Sequence, residues 1–415
     1  MQRIATNMPN DSVQYALRRQ EEGLAKAQSK IAAQRRINEL RDDPIAASHA
    51  VRYASYLGRL QQFEQNSLYA RDHFRQQDLY MQHAVSLLQR VRDLSVQGAN
   101  GVYTQDDLRG MAVEVNELVK ELAAAANALG PDGNRLFSGD KSFTEPFLVR
   151  EGAVEGGGET MPLSVEYRGA GLGRSAEVTE RSYLPLDIAG GEAFWAEKME
   201  VISGTDASTW QAASDGAFFL DGVEIPVRAG DTVNVIAAKI NDSPAPVTAH
   251  IDVESRGLAL EGTNPHLIRL EDAEGSTVMR DLGLIAEGGE QGAPNWNAGA
   301  KVNGGSVFDM VLRLRDALFR GDTEFIGSQG IGGIDLALGN MENRLAEVGS
   351  RAERADHVWQ KINAELPNVT GALAREESLD MADAAMEMAQ MDFAHKAALQ
   401  TAAKIVPQTL LDFLR

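Results

Sequence analysis

The sequence predicts an α+β protein in which both ends of the chain form a long antiparallel helical bundle, while the middle supplies an inserted, mainly-β outer domain. Three observations predict it. Apolar residues recur at helical spacing over long stretches near both termini, more than half of the 39 glycines fall between them, and the charge divides at the same places. Residues 151–300 carry 9 Lys/Arg against 25 Asp/Glu, a local −16 within a net −20, whereas residues 1–150 are balanced at 19 against 18. A chain of 415 residues also exceeds what one core usually organises, so two or three packed units are expected.

The first long helix is predicted from Asp43-Pro44, where Asp can cap and Pro suits the first turn. Its stripe reads Tyr53, Tyr56, Leu60, Phe63, Ser67, Ala70, Phe74, Gln77, Met81, Ala84, Leu88, Val91 and Ser95, ten of thirteen apolar. That is one helix of about 54 residues, roughly 80 Å long. A second begins at Thr104, with Asp107 at the capping-box position, and carries Leu108, Met111, Val115, Leu118, Leu122, Ala125 and Leu129 up to Gly130-Pro131. The third partner lies far along the chain, on the line Ile334, Leu338, Met341, Leu345, Val348, Ala352, Ala355, Trp359, Ile362 and Leu366. Three one-sided helices bury each other's stripes only if the two halves of the chain meet, which places the bundle core in 43–150 and 301–375.

Two further helices flank that core. Residues 13–34 show Val13, Leu17, Gln20, Leu24, Ala27, Ile31 and Gln34 on one line, and residues 379–414 are rich in Ala and Met. The latter has one line through Ala384, Met388, Met391, His395, Ala398, Ala402, Ile405 and Thr409, and a second through Leu399, Ala403, Val406 and Leu410. It is apolar over too much of its circumference for a free helix in water. Segments 1–42 and 376–415 are therefore expected to be terminal assembly helices. Their working surface is read as Leu17, Leu24, Ile31, Met388, Met391, Ala398, Ile405 and Leu410. Pro407 removes a helix donor and argues against a straight helix to the last residue.

The centre, 151–300, reads as β. Phe218-Phe219-Leu220, the turn pair Asp221-Gly222, and alternating Val223, Ile225 and Val227 predict a hairpin. Thr232 can cap a short helix carrying Val233, Ile236, Ala237 and Ile240, after which strands are expected at 247–253, 258–260 and 267–270.

Catalytic chemistry is missing from the sequence. Without Cys there is no disulfide framework, thiolate metal site or Cys nucleophile. The seven His show no paired ligand spacing and are read as solvated or half-buried, so neither a metal nor a cofactor is expected. Gly171, Gly173 and Ala176 match G-x-G-x-x-A, but the residues that follow alternate like a strand, so a hairpin turn is read in place of a phosphate site. The pairs Asp42-Asp43 and Asp106-Asp107 sit at helix starts and are read as caps. Net charge −20 argues against nucleic acid and anionic membrane as partners. No membrane insertion is expected, and the N-terminus lacks the apolar core of a cleaved signal peptide.

At the level of motifs, Gln34–Ala47, Val91–Gly101 and the helix Gln105–Asn127 resemble the amino-terminal region of bacterial flagellins and their hook-associated relatives. Gly133–Phe147, GNRLFSGDKSFTEPF, and the closing Leu410–Leu414, LLDFL, are similar to the hook–filament junction branch of that family. Residues 165–194 resemble the start of that branch's outer domain, and 216–285 a small module that recurs in flagellins. The resemblance implies a structural subunit, not an enzyme, exported without a cleaved signal to the extracellular flagellum. It implies as partners copies of itself, flagellin, a neighbouring hook-associated junction protein, and an export chaperone on the carboxyl-terminal helix. The run Met381, Met386, Met388, Met391 reads either as adaptable packing or as a single flexible apolar surface that serves successive partners, first a chaperone and then neighbouring subunits. A minor flagellin is the alternative within the family; a secreted effector or adhesin with a coiled-coil stalk is the alternative outside it.

Overall fold

The structure is a computed structural model that describes residues 8–39, 41–158, 160–171, 173–286 and 295–405. The chain divides into two compact units, residues 1–64 with 360–415 and residues 65–359. Three helices open it: α1 (Met8–Ala33), α2 (Pro44–Ala99) and α3 (Gln105–Ala126). Strands β1 (Phe147–Ala153), β2 (Thr160–Tyr167), β3 (Ser175–Thr179) and β4 (Ser182–Pro185) follow, then the single turn α4 (Gly190–Ala193) and strand β5 (Glu200–Ile202). The small module holds β6 (Gly216–Leu220), β7 (Val223–Val227), α5 (Val233–Asp242), β8 (Val247–Ile251), β9 (Leu258–Gly262), β10 (Leu270–Asp272) and α6 (Val278–Asp281). The chain returns through β11 (Lys301–Asn303), α7 (Val307–Arg320) and α8 (Thr323–Phe325). It then passes a π-helical turn at Ile326–Gly330 into α9 (Ile331–Glu377) and α10 (Met381–Ile405). The α+β class and the helices contributed by both ends agree with the sequence.

In the larger unit the predicted stripe of α2 is the core: Ala70, Phe74, Met81, Ala84, Leu88 and Val91 are buried. The polar interruptions are buried with it, and two of them donate to backbone carbonyls. Gln77 Nε2 donates to the Leu136 carbonyl at 3.0 Å and Ser95 Oγ to the Val91 carbonyl at 2.7 Å. Helix α3 starts in the predicted capping box, with Thr104 and Asp107 bonding each other's backbone N–H. It packs against α7, which buries ten of its fourteen residues and carries Val307, Val311, Leu314 and Leu318 on one face with Asp309, Arg313, Asp316 and Arg320 opposite, a stripe not named from the sequence above. A second capping box, Ser306 with Asp309, starts α7, and Gly321 in the left-handed region (φ 73°) ends it. Its Arg315 is fully buried, donating to Asn116 Oδ1 at 3.1 Å, to Asp316 Oδ1 at 2.7 Å and to the Pro162 carbonyl.

Phe147, at the start of β1, joins strands to helices. Its ring centroid lies 5.0 Å from Tyr167, 5.2 Å from Phe194 and 5.1 Å from Phe308 on α7. Tyr167 and Phe194 fall inside the 151–300 region read as an outer domain, and both are buried here with the helical frame. Among the described residues the strands form four antiparallel sheets: β1–β2, β3–β4, β10–β6–β7 and β11–β5–β9–β8. The β6–β7 hairpin turns at Asp221-Gly222 with φ of 50° and 81°, as its sequence demanded. Thr232 precedes α5 as expected but makes no side-chain capping bond, so burial of Val233, Ile236, Ala237 and Ile240 is what holds that helix. The G-x-G-x-x-A segment does lead into a strand, β3, yet it is no hairpin turn: β2 pairs with β1 and β3 with β4, so Gly171 and Gly173 lie in a connection between sheets.

A buried charge node ties β4's neighbourhood to α2. Asp187 accepts from His73 Nε2 at 3.1 Å, from the Arg174 backbone N–H at 2.8 Å, and from the Arg174 guanidinium at 3.0 Å. Burial pushes the Asp187 pKa up, but the bonds from His73 and Arg174 outweigh it and bring it down to about 2. A depressed carboxylate pKa stabilises the fold above its unfolded value, 3.8, and loses that contribution as pH falls toward the folded value. The stability gap between wild type and Asp187→Asn, measured by urea denaturation, should therefore shrink by about 2 kcal/mol between about pH 4 and pH 2. A gap independent of pH would show that the charge contributes nothing.

Candidate assembly surface

The smaller unit brings the two terminal helices together. Helices α1 and α10 run antiparallel, with Gly23 placed so that a Cβ there would lie 3.7 Å from Met391 Sδ. Their ends are fastened where α1 stops. Gln34 turns into the left-handed region (φ 53°), Arg35 pairs with Ser378 in an antiparallel bridge, and the Arg36 N–H donates to the Glu377 carbonyl at 2.8 Å. Arg36 Nη2 reaches the Glu376 carbonyl at 3.0 Å, and His49 Nδ1 lies 3.3 Å from the Glu376 carboxylate. About two turns further along α2, Tyr56 donates to Glu365 at 2.6 Å, joining the first part of α2 to the last part of α9. Asp43 caps α2 through the Ala46 N–H at 3.0 Å, the role read for it.

Six of the eight residues read as the assembly surface are described in full. Leu17, Leu24 and Ile31 on α1 and Met388, Met391 and Ala398 on α10 are all half-buried, each helix covering part of the other's line. The Ile405 side chain and Leu410 lie outside the described residues, as does Pro407. Ala27, Ala384 and Ala402 are the buried positions of the pair. Exposed apolar groups stand elsewhere on the same helices: Tyr15 at 71% exposure, Met386 at 57%, Phe393 at 76% and Leu399 at 46%. Of these, Met386 and Leu399 fall on the Met run and the second line read from sequence. Phe393 was missed because it sits off both.

The seam is thin and imperfect. Gln20 Oε1 and His395 Nδ1 are buried without hydrogen-bond partners among the described residues, at a cost of about 1–3 kcal/mol each. The fully buried positions among the described residues of the pair, Ala27, Ala384 and Ala402, are small, so each buries little area to offset that cost. Covering Phe393, Met386, Leu399 and Tyr15 with another surface would add about 1.5–3 kcal/mol per fully buried side chain. Among the described residues no helix is long and apolar enough to cross a membrane, and no cluster of three or more His, Asp or Glu could hold a metal.

Three family models match the chain: the bacterial flagellin N-terminal helical region over residues 4–142, the bacterial flagellin C-terminal helical region over 331–414, and the flagellin hook IN motif over 202–264. Together they cover more than half of the sequence, and the chain belongs to the flagellin family of flagellar structural proteins. The motif at 202–264 coincides with the module from the end of β5 through β9. Flagellin FlaB1 of Treponema pallidum is 29% identical over 131 residues, 32% of this chain and 46% of that protein. Flagellar hook-associated protein 3 of Escherichia coli K12 is 27% identical over 125 residues, 30% of this chain and 39% of that protein. The chain thus spans somewhat under half the length of these curated relatives. A solved structure of flagellar hook associated protein-3 from Legionella pneumophila aligns over 78% of this chain and 97% of its own, at 17% identity and a TM-score of 0.46.

Proposed function

We propose that this chain forms the junction between hook and filament of the bacterial flagellum, polymerising through its terminal helices and presenting the platform on which flagellin adds. The observation that favours a junction over a filament subunit is the segment Gly133–Phe147, whose LFSG and closing aromatic resemble the junction branch. Phe137 and Phe147 from this segment are buried in the aromatic cluster that joins helices to strands. In this reading, residues 1–42 and 376–415 assemble, 43–150 with 301–375 form the bundle, and 151–300 face outward. The working surface is the line Leu17, Leu24, Ile31, Met388, Met391, Ala398, Ile405 and Leu410 with its exposed neighbours. The chain is not an enzyme: it acts by repeating one heterologous contact. Its partners are its own copies, flagellin, an adjoining hook-associated junction protein, and an export chaperone that shields α10 before secretion to the extracellular flagellum.

A minor flagellin is the second reading, favoured by the near-equal identity to a flagellin and to a hook-associated protein. Deleting the gene and imaging the cells separates the two. Hooks without filaments, with flagellin shed into the medium, are expected of a junction. Normal or merely shortened filaments would mark a filament subunit instead.

A further inference from the structure

His266 lies between β9 and β10 and is 4% exposed. Its Nδ1 is 2.8 Å from the Asn264 carbonyl oxygen and its Nε2 is 3.1 Å from Asp221 Oδ2. A carbonyl has no proton to give, so Nδ1 must donate to it. In a neutral ring Nε2 would then turn a lone pair toward a carboxylate oxygen. The contact is attractive only with a second proton between Nε2 and Oδ2.

The acid is placed to make that proton matter. Asp221 is the first residue of the β6–β7 turn, held in the left-handed region at φ 50°. Its Oδ1 accepts the Arg269 N–H at 2.8 Å, and its own N–H donates to the Arg269 carbonyl at 2.9 Å. Gly262 leaves room for the ring, since a Cβ there would lie 3.0 Å from His266 Cε1. Other charged groups lining the crevice are Glu192 of α4, Arg269, and Arg344 of α9, with Tyr167 of β2 beside them. Both guanidiniums are engaged. Arg269 donates to the Gly169 carbonyl and stacks 5.2 Å over Tyr167, and Arg344 lies 3.0 Å from Glu347 and 3.5 Å from Glu192. The group in direct contact with the ring is the Asp221 carboxylate.

We propose that His266 is a proton-held clamp, an imidazolium that fastens the β6–β7 turn of the small module to segment 264–269 and lets go as the solution becomes alkaline. Burial alone would lower the His266 pKa, but the Asp221 carboxylate and the Asn264 carbonyl reverse this and raise it. A histidine whose folded pKa lies above its unfolded 6.5 contributes fully below that pH, and the contribution is lost as pH rises through the folded value.

Two measurements on the full chain test the clamp. In nitrogen-15 spectra of histidine-labelled protein, the His266 ring should carry protons on both nitrogens at neutral pH. It should titrate at a higher pH than His357, whose side chain is 70% exposed. A neutral ring at neutral pH, or a midpoint at or below that of His357, overturns the proposal. In hydrogen exchange, protection of the Asp221 and Arg269 amides relative to the Val115 amide in α3 should fall as pH rises from neutrality. That fall should vanish in His266→Gln, which cannot titrate. A fall that persists unchanged in the variant also overturns it, and if the variant does not fold, the ring titration decides alone.

Discussion

Phe393→Asp is expected to leave the monomer's melting and secretion unchanged and to abolish its polymerisation. At 76% exposure the new carboxylate costs almost nothing in the free chain, but buried unpaired against a neighbour it would cost several kcal/mol. Leu24→Asp should behave differently, because Leu24 is already half-buried in the α1–α10 seam. There the charge is expected to part the terminal helices in the monomer itself, read as fast amide exchange in α1 and α10 while α3 stays protected. Sedimentation and electron microscopy of the polymer, beside exchange on the monomer, check both. Normal polymers from Phe393→Asp would move the joint off this face of α10, and unaltered exchange in Leu24→Asp would mean that the seam contributes nothing before assembly.

The second large effect is expected at Phe194, whose ring lies 5.3 Å from Phe137, 5.2 Å from Phe147 and 5.9 Å from Phe308. The backbone on either side is held by Asn340, which donates to the Glu192 carbonyl at 3.0 Å and the Trp195 carbonyl at 2.7 Å. With its surroundings pinned, the site cannot collapse around a smaller side chain. Phe194→Ala should therefore cost about 3–5 kcal/mol in urea denaturation of the larger unit, near the top of the range for a core truncation. A loss under about 1 kcal/mol would mean that the cluster repacks, and that strands and helices are not fastened through these rings.

Legibility followed one-sidedness. α2, α3 and α9 each present a stripe to a core, so spacing alone located them, and Ser67, Gln77 and Ser95 on that stripe proved buried with it. α7 is one-sided as well, with Val307, Val311, Leu314 and Leu318 on one face and Asp309, Arg313, Asp316 and Arg320 opposite, so it was legible from the same spacing and from its Ser306/Asp309 box. The hairpin at Asp221-Gly222 was legible because a two-residue turn needs particular residues. The buried histidines were not. His73 meets Asp187 across 114 positions and His266 meets Asp221 across 45, and no local pattern encodes a partner that far away. Within the candidate surface, helical lines found the seam, yet the open positions depend on which faces α1 and α10 turn to each other, and that is settled only by their pairing.

The pairing of β5 with β11 has a consequence for what the molecule can tolerate. Ile202 and Lys301 are antiparallel partners, so the chain leaves the frame and returns to it through a doorway one strand spacing wide, about 5 Å. Whatever hangs from such a doorway imposes little length requirement on the frame, since each doubling of a flexible insert adds only about 0.6 kcal/mol of closure cost. The one bond row at stake is the far edge of β5, now covered by β9, which a shorter graft would have to cap or leave open. The segment between these two strands can thus be rewritten, enlarged or pared back by descent or by an engineer, while the helical frame keeps its sequence.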